Sequence, residues 1–326
     1  MNYANRLTPI KSGPAILADY PEFIEPLQCE RRFMAPALVD ERDADLRVRT
    51  WRYSYNARGI VEMENRLRAK AAAGVMVHPW GIDDAEGLKT PEPAGASFFG
   101  FLKKNLIALE HMKKVVTPFL DRIRGKVSLI GYSLPGVEDQ IRKMLYASIS
   151  TSPSALNVPE GRRQLRELLD NWQFKGDGLI PELELDPDAP VSSYFSKAPS
   201  TQTCPRYDRD FRLRLPMPLS AGIRHAPEDL VFYDEEGYPK VRDFLKGRGI
   251  RHILLFGYAT DMCLIRTTCG YQNFCRDFNV FIVGDATLAT FPGSATPRFA
   301  TQTALANAAL SQLITQVGWV KTDNNF

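Results

Sequence analysis

The chain predicts an α/β fold, a three-layer α/β/α Rossmann-like arrangement around a mainly parallel sheet, with an N-terminal extension and a long insertion. Three observations predict it. Short apolar runs of strand length recur along the second part of the chain, at Val75–Val77, Lys126–Tyr132, Asp229–Tyr233, 252–257 and 279–284. Stretches with apolar residues in 3.6-residue register lie between them. Such alternation of strand and helix makes βαβ units, whose strands run parallel with helices on the faces.

The elements follow in order. Residues 1 to about 50 are rich in proline and charge and read as an arm that wraps another surface. Val48–Tyr55 alternates and carries Trp51, Tyr53 and Tyr55, which reads as a strand or a docking segment. Ile60–Ala73 reads as a helix, with Ile60, Met63 and Leu67 on one face. Gly74–Gly81 is a buried strand running into a turn. A helix follows from about Asn105 to Arg124, kinked at Pro118 because proline lacks the N–H a helix interior needs. Two short helices are expected around Val137–Ala147 and Gly161–Trp172, then a loop-like tract over Pro181–Pro218, long enough to be a lid or an interface element. A helix over Pro239–Lys246 stops at Gly247 or Gly249, and an Ala-rich helix closes the chain at 296–315. The domain reading is an extension over 1–70 and one α/β domain over 71–326, with its insertion at about 135–227.

Composition narrows the function. A net charge of +3 and the absence of a basic block with interleaved aromatics point away from nucleic acid. No apolar run is long enough to cross a bilayer. The N-terminal Met1–Arg6 lacks the apolar core of a secretory signal. Five cysteines, an odd number without a Cys-x-x-Cys pair, argue against a disulfide framework and a structural zinc site, so a cytoplasmic location is expected. The four histidines show neither Asp-x-His nor His-x-x-x-His spacing, and His111 falls among lysines on a helix expected to be exposed. No metal and no cofactor are expected.

Cys263 carries the chemistry. It follows the apolar run Ile253–Leu255 and the turn Gly257-Tyr258-Ala259-Thr260-Asp261-Met262, and stands at the first turn of a helix running through Ile265 and Thr267. Unpaired backbone N–H groups and the positive helix end there favour a thiolate and offer partners to an oxyanion. The alternative is a small core residue, the usual fate of a free cysteine.

With Thr267-Thr268 and the run Val280–Ala286, this turn resembles the isochorismatase-like cysteine hydrolase superfamily, which includes nicotinamidases, carbamoylsarcosine amidases, ureidoacrylate amidohydrolases and isochorismatases. Its signature is a strand, Gly-x-x-Thr-Asp-x-Cys-Val, a helix with Thr, and a strand ending in Asp-Ala. Residues 251–286 carry it, with Leu264 in place of Val. The resemblance implies Cys263 as nucleophile, a cis Tyr258–Ala259 peptide, and an oxyanion pair from the N–H groups of Ala259 and Cys263, with Thr260 bracing the turn. Asp261 is expected to cap the helix, Asp285 to brace adjacent loops, and Cys269 to be core.

The superfamily also uses an Asp at the end of the first strand and a Lys after the strand that precedes the cysteine unit. Gapless matching puts His78 and Asp234 in those places; a shift of a few residues would offer Asp83 or Asp84, and Lys240. Cys263 as nucleophile, His78 as base and Asp234 orienting the imidazole form a cysteine–histidine–carboxylate set. Alternatively, His78 hydrogen-bonds within a polar turn and Asp-Glu-Glu-Gly is an exposed turn. Trp80 and Tyr132 end strands on the same edge and are expected to wall the substrate site. The sequence reads as a cysteine-dependent hydrolase of a small amide, or as an inactive homologue that binds a small molecule or partner. Its partners would be a small-molecule substrate and further copies of the chain, in a homo-oligomer.

Overall fold

In the computed structural model, the apolar runs line up side by side. The structure describes residues 6–12, 31–54, 56–81, 102–171, 184–196, 216–220, 222–289, 318–320 and 322. Among the described residues the strands are β1 (Thr8–Ile10), β2 (Arg32–Met34), β3 (Leu46–Ser54), β4 (Gly59–Leu67), β5 (Ala72–Val77), β6 (Leu129–Leu134), β7 (Ala147–Ser148), β8 (Leu230–Tyr233), β9 (His252–Tyr258), β10 (Asn279–Leu288) and β11 (Gly318–Val320). They form one sheet in the order β1-β2-β4-β3-β11-β10-β9-β5-β6-β8-β7. From β11 to β7 every pairing is parallel.

Successive side chains of these strands enter two separate layers, as period-two alternation requires. Leu254, Phe256 and Tyr258 of β9 join a cluster with Met112, Phe119, Leu120 and Ile123. Ile253 and Leu255 join another with Val241, Leu245, Leu264 and Phe274. The first layer holds α1 (Leu102–His111), α2 (Thr117–Ile123), α3 (Gln140–Leu145) and α4 (Val158–Asp170). A further helix, α5, spans Pro190–Ser196. The second layer holds α6 (Tyr238–Gly247), α7 (Cys263–Arg266) and α8 (Tyr271–Phe274). Both faces are covered, which is why the central strands are apolar on both sides.

The helix expected over Asn105–Arg124 is present, but Pro118 does not kink it by itself. A five-residue π turn, Met112–Val116, lies between α1 and α2 and puts Pro118 in the first turn of α2. There the missing N–H costs nothing. The helix expected at 296–315 and Tyr55 lie outside the described residues.

The helix expected over Ile60–Ala73 is instead β4, a short 3-10 turn and β5. Met63 and Leu67, four residues apart, satisfy a helical period and a period of two alike, whereas Ile60 falls on the other strand face; Met63, Asn65 and Leu67 are buried and Glu64 and Arg66 exposed. Nine antiparallel residue pairs with β3, from Leu46–Leu67 to Ser54–Gly59, decide between them. The N-terminal segment therefore extends this chain's own sheet, and Trp51 is only 9% exposed within it.

One charge stabilises that extension. The Glu62 side chain is fully buried on β4 and receives Arg32 from β2 (Nε to Oε1, 2.5 Å) and Arg49 from β3 (Nε to Oε2, 2.8 Å). Glu62→Gln would leave two guanidiniums short of a countercharge, one of them mostly buried. We expect a loss of about 2 kcal/mol in unfolding free energy, read by urea denaturation; a midpoint unchanged from wild type would contradict it.

Candidate active site

Four parallel strands end on one level. Val77 of β5 is directly paired with Gly257 of β9 on one side and Ser133 of β6 on the other, and Ser133 with Phe232 of β8. The candidate residues follow this row at the carboxyl edge, where open α/β sheets form their crevices.

The row is tight at Gly257. Its φ is 109°, and a Cβ there would lie 2.3 Å from the Val77 carbonyl oxygen and 2.6 Å from the Val77 nitrogen. Only glycine lets β9 approach β5 so closely and turn out of the sheet. The Tyr258–Ala259 peptide that follows is cis, as the resemblance implied. The Thr260 N–H donates to the Leu288 carbonyl (3.0 Å), and its hydroxyl lies 2.6 Å from that of Thr287. Met262 and Leu264 N–H groups donate back to the Ala259 carbonyl.

Cys263 opens a helix of one turn only, ended by an extended Thr267. Met262 rather than Asp261 occupies the N-cap position, and no side chain caps it. So short a helix carries little dipole. The positive group beside the sulfur is His78.

His78 leaves β5 in the left-handed region, with φ 50°. Histidine tolerates this better than most side chains. Its N–H donates to the Ser133 carbonyl (3.0 Å), and its Nε2 donates to Asp234 Oδ2 at 2.6 Å. The ring also lies beside the Cys263 side chain, both lining one cavity. Burial works against the imidazolium, but the interactions with Asp234 and Cys263 outweigh it and push the His78 pKa up to about 9.

Asp234 begins the 3-10 turn after β8. Its other oxygen accepts the Ser133 hydroxyl at 3.0 Å, and its carbonyl accepts the Thr268 hydroxyl at 2.6 Å. Glu235, the next residue, is exposed, so the turn is superficial at one residue and inward at the other. Lys240 is turned away, bound to Glu236 (2.8 Å) and the Ser150 hydroxyl (3.0 Å). Asp83 and Asp84 lie outside the described residues.

A cavity of about 140 Å³ opens over the sulfur, lined among the described residues by His78, Trp80, Pro135, Met217, Tyr258, Ala259, Met262 and Cys263. Trp80 lines it. Tyr132 does not: it is fully buried, and its hydroxyl donates to Asp229 (2.9 Å). Ser133, its neighbour on β6, takes the place facing the site, because adjacent strand residues point to opposite faces.

His111 also departs from expectation. It is fully buried, its Nε2 donating to the Asp285 carbonyl (2.8 Å) and its Nδ1 accepting the Tyr258 hydroxyl (2.6 Å). Burial pulls its pKa down to about 4, so it is the neutral tautomer that supports the Tyr258 wall. Asp285 is inside β10 rather than at its end, and its carboxylate accepts from the N–H (2.9 Å) and hydroxyl (2.7 Å) of Thr322. Cys269 is fully buried, as expected, and Cys275 is exposed. Sequence reasoning missed Ser133, His111, Pro135, Met217 and Met262. Ser133 alone had a signal, a hydroxyl inside an apolar strand level with the end of β5.

Comparison with known proteins bears on the second half of the chain. Residues 234–317, which contain the Cys263 unit, match the model of the isochorismatase domain. The search of curated proteins found no match. Among solved structures the chain is similar to a cysteine hydrolase from Pseudomonas syringae pv. phaseolicola 1448A, with 14% identity, 78% of this chain and 91% of that one covered, and a TM-score of 0.41. It is similar also to nicotinamidase PncA from Bacillus subtilis, with 13% identity, 77% and 99% covered, and a TM-score of 0.33. PnC1 from L. infantum, solved with nicotinate, shows 11% identity, 78% and 95% covered, and a TM-score of 0.39. Among the described residues no helix is long and apolar enough to cross a membrane.

Proposed function

Taking residues 234–317 as an isochorismatase-type segment, we propose that the chain is a cysteine-dependent hydrolase of a carbon–nitrogen bond in a small amide. The observation that carries this reading is Cys263 beside His78, itself hydrogen-bonded to Asp234, at the foot of a cavity. The Cys263 thiolate adds to the amide carbonyl carbon. The N–H groups of Ala259 and Cys263 receive the oxyanion; those of Thr260, Met262 and Leu264 are already spent on carbonyls. The His78 imidazolium gives its proton to the leaving nitrogen, and the amine departs from a thioester. Water, losing a proton to His78, then attacks the thioester and releases the acid and the thiolate. Asp234 holds the ring in one orientation and offsets its charge. Trp80, Tyr258 and Met217 make an apolar slot suited to a flat, neutral substrate.

The test is the rate of Cys263 alkylation by iodoacetamide against pH, followed by mass spectrometry, in wild type and His78→Ala. The wild-type profile should carry an acid limb that depends on His78, because a neighbouring imidazolium favours the charged sulfur. His78→Ala should move it up by at least about one unit. Superimposable limbs would overturn the reading. The same group is linked to folding. Its folded pKa of about 9 exceeds the ordinary histidine value of 6.5 expected in the unfolded chain. The stability it contributes is therefore complete below 6.5 and lost as pH rises through 9.

A further inference from the structure

His78 and Asp234 do not end the series. Asp234 spends Oδ2 on His78 and Oδ1 on the Ser133 hydroxyl, at 2.6 and 3.0 Å. Ser133 is fully buried on β6, between the strands that deliver His78 and Asp234. Its backbone carbonyl holds the His78 N–H, so one residue grips the imidazole's backbone and the carboxylate's far oxygen. Behind it lies Cys269, also fully buried, its thiol beside the Ser133 side chain. Burial pushes that thiol up, so it remains S–H.

We propose that Ser133, supported by Cys269, is the positioning residue of the site, so that a continuous series Cys269–Ser133–Asp234–His78–Cys263 sets the orientation of Asp234. This inference rests on the hydrolase reading of the same residues. Ser133 touches no reacting atom. It acts by denying Asp234 the rotation that would break its bond to His78. A short carboxylate on a superficial turn has two broad orientations to choose from; the serine selects the one that faces the imidazole. The charged groups bordering the series are Glu236, on the same turn as Asp234 and paired with Lys240, and the series' own members.

The experiment compares wild type, Ser133→Ala, Ser133→Thr, Cys269→Ala and His78→Ala by the Cys263 alkylation limb, with thermal unfolding recorded in parallel. Ser133→Ala removes one oxygen and leaves no room to fill. It should slow alkylation on the acid side by about tenfold, a limb shift of about one unit, while remaining folded. Ser133→Thr keeps the hydroxyl and should restore at least half of that shift. Cys269→Ala should move the limb in the same direction by less. A Ser133→Ala limb that coincides with wild type overturns the proposal, as does an equal shift in Ser133→Ala and Ser133→Thr. If His78→Ala moves the limb and Ser133→Ala does not, the hydrolase reading stands and only the positioning role fails. If His78→Ala moves nothing, both fail. Should Ser133→Ala unfold, Cys269→Ala decides alone, an unmoved limb counting against the series.

Discussion

Cys263→Ala is expected to abolish amide hydrolysis, lowering kcat by at least about 10⁴-fold, because a nucleophile removed from a unit that acts together costs nearly everything the unit supplies. The side chain is half-buried and its neighbour His78 has a second partner in Asp234. Thermal unfolding should therefore hardly change. The measurement is release of amine from a panel of small neutral amides by wild type and variant, with Cys275→Ala as a control for the exposed thiol. Equal turnover by wild type and Cys263→Ala would place the chemistry elsewhere.

Gly257→Ala should be the most damaging small substitution in the sheet. The added methyl would meet the Val77 backbone at 2.3 and 2.6 Å, and the φ of 109° is one an alanine rarely adopts. Neither neighbour is a flexible side-chain end, so β9 and β5 must separate. The cost should exceed about 3 kcal/mol, since overpacking and forbidden backbone geometry combine. Because His78 follows Val77 directly, the slow acid limb of His78→Ala should appear here too. Guanidinium denaturation and the alkylation profile check both parts. A wild-type midpoint would show that the two strands are less closely held than their register indicates.

What could be read from the residues depended on whether local pattern and tertiary pairing agreed. They agree along Ile253–Cys263, where an apolar run, a glycine and a polar turn describe a buried strand and its exit. They agree at Val77 and Tyr233, so the strand ends were placed well enough to put His78 and Asp234 on the same edge. They conflict at Ile60–Leu67, where Met63 and Leu67 satisfy both periods and pairing with Leu46–Ser54 decides. At β6 the strand was legible but its face was not. Tyr132 and Ser133 differ by one position and by a whole layer, and an aromatic is the more conspicuous of the two. His111 was hidden by its lysine neighbours. Its partners, Tyr258 and the Asp285 carbonyl, are brought to it by strands far along the chain, and nothing local announces them.

The joint between β3 and β11 has a consequence for how the molecule comes into being. Among the described residues the hairpin 46–67 pairs with the parallel strands through Gly318–Val320, with Trp319 paired to Trp51 and Val283 to Val320. Val320 packs in one cluster with Leu46, Val48 and Leu67. A ribosome delivers the hairpin long before it delivers the strand that receives it. Throughout synthesis the inner edge of β3 has no neighbour, and an unpaired edge invites association with other chains. Closure of the sheet is thus among the last long-range events, with a high contact order and a correspondingly slow rate. Trimming the chain before Gly318 would leave the inner edge of β3 unpaired after folding as well as before it, so segments as far apart in the chain as Trp51 and Trp319 depend on each other.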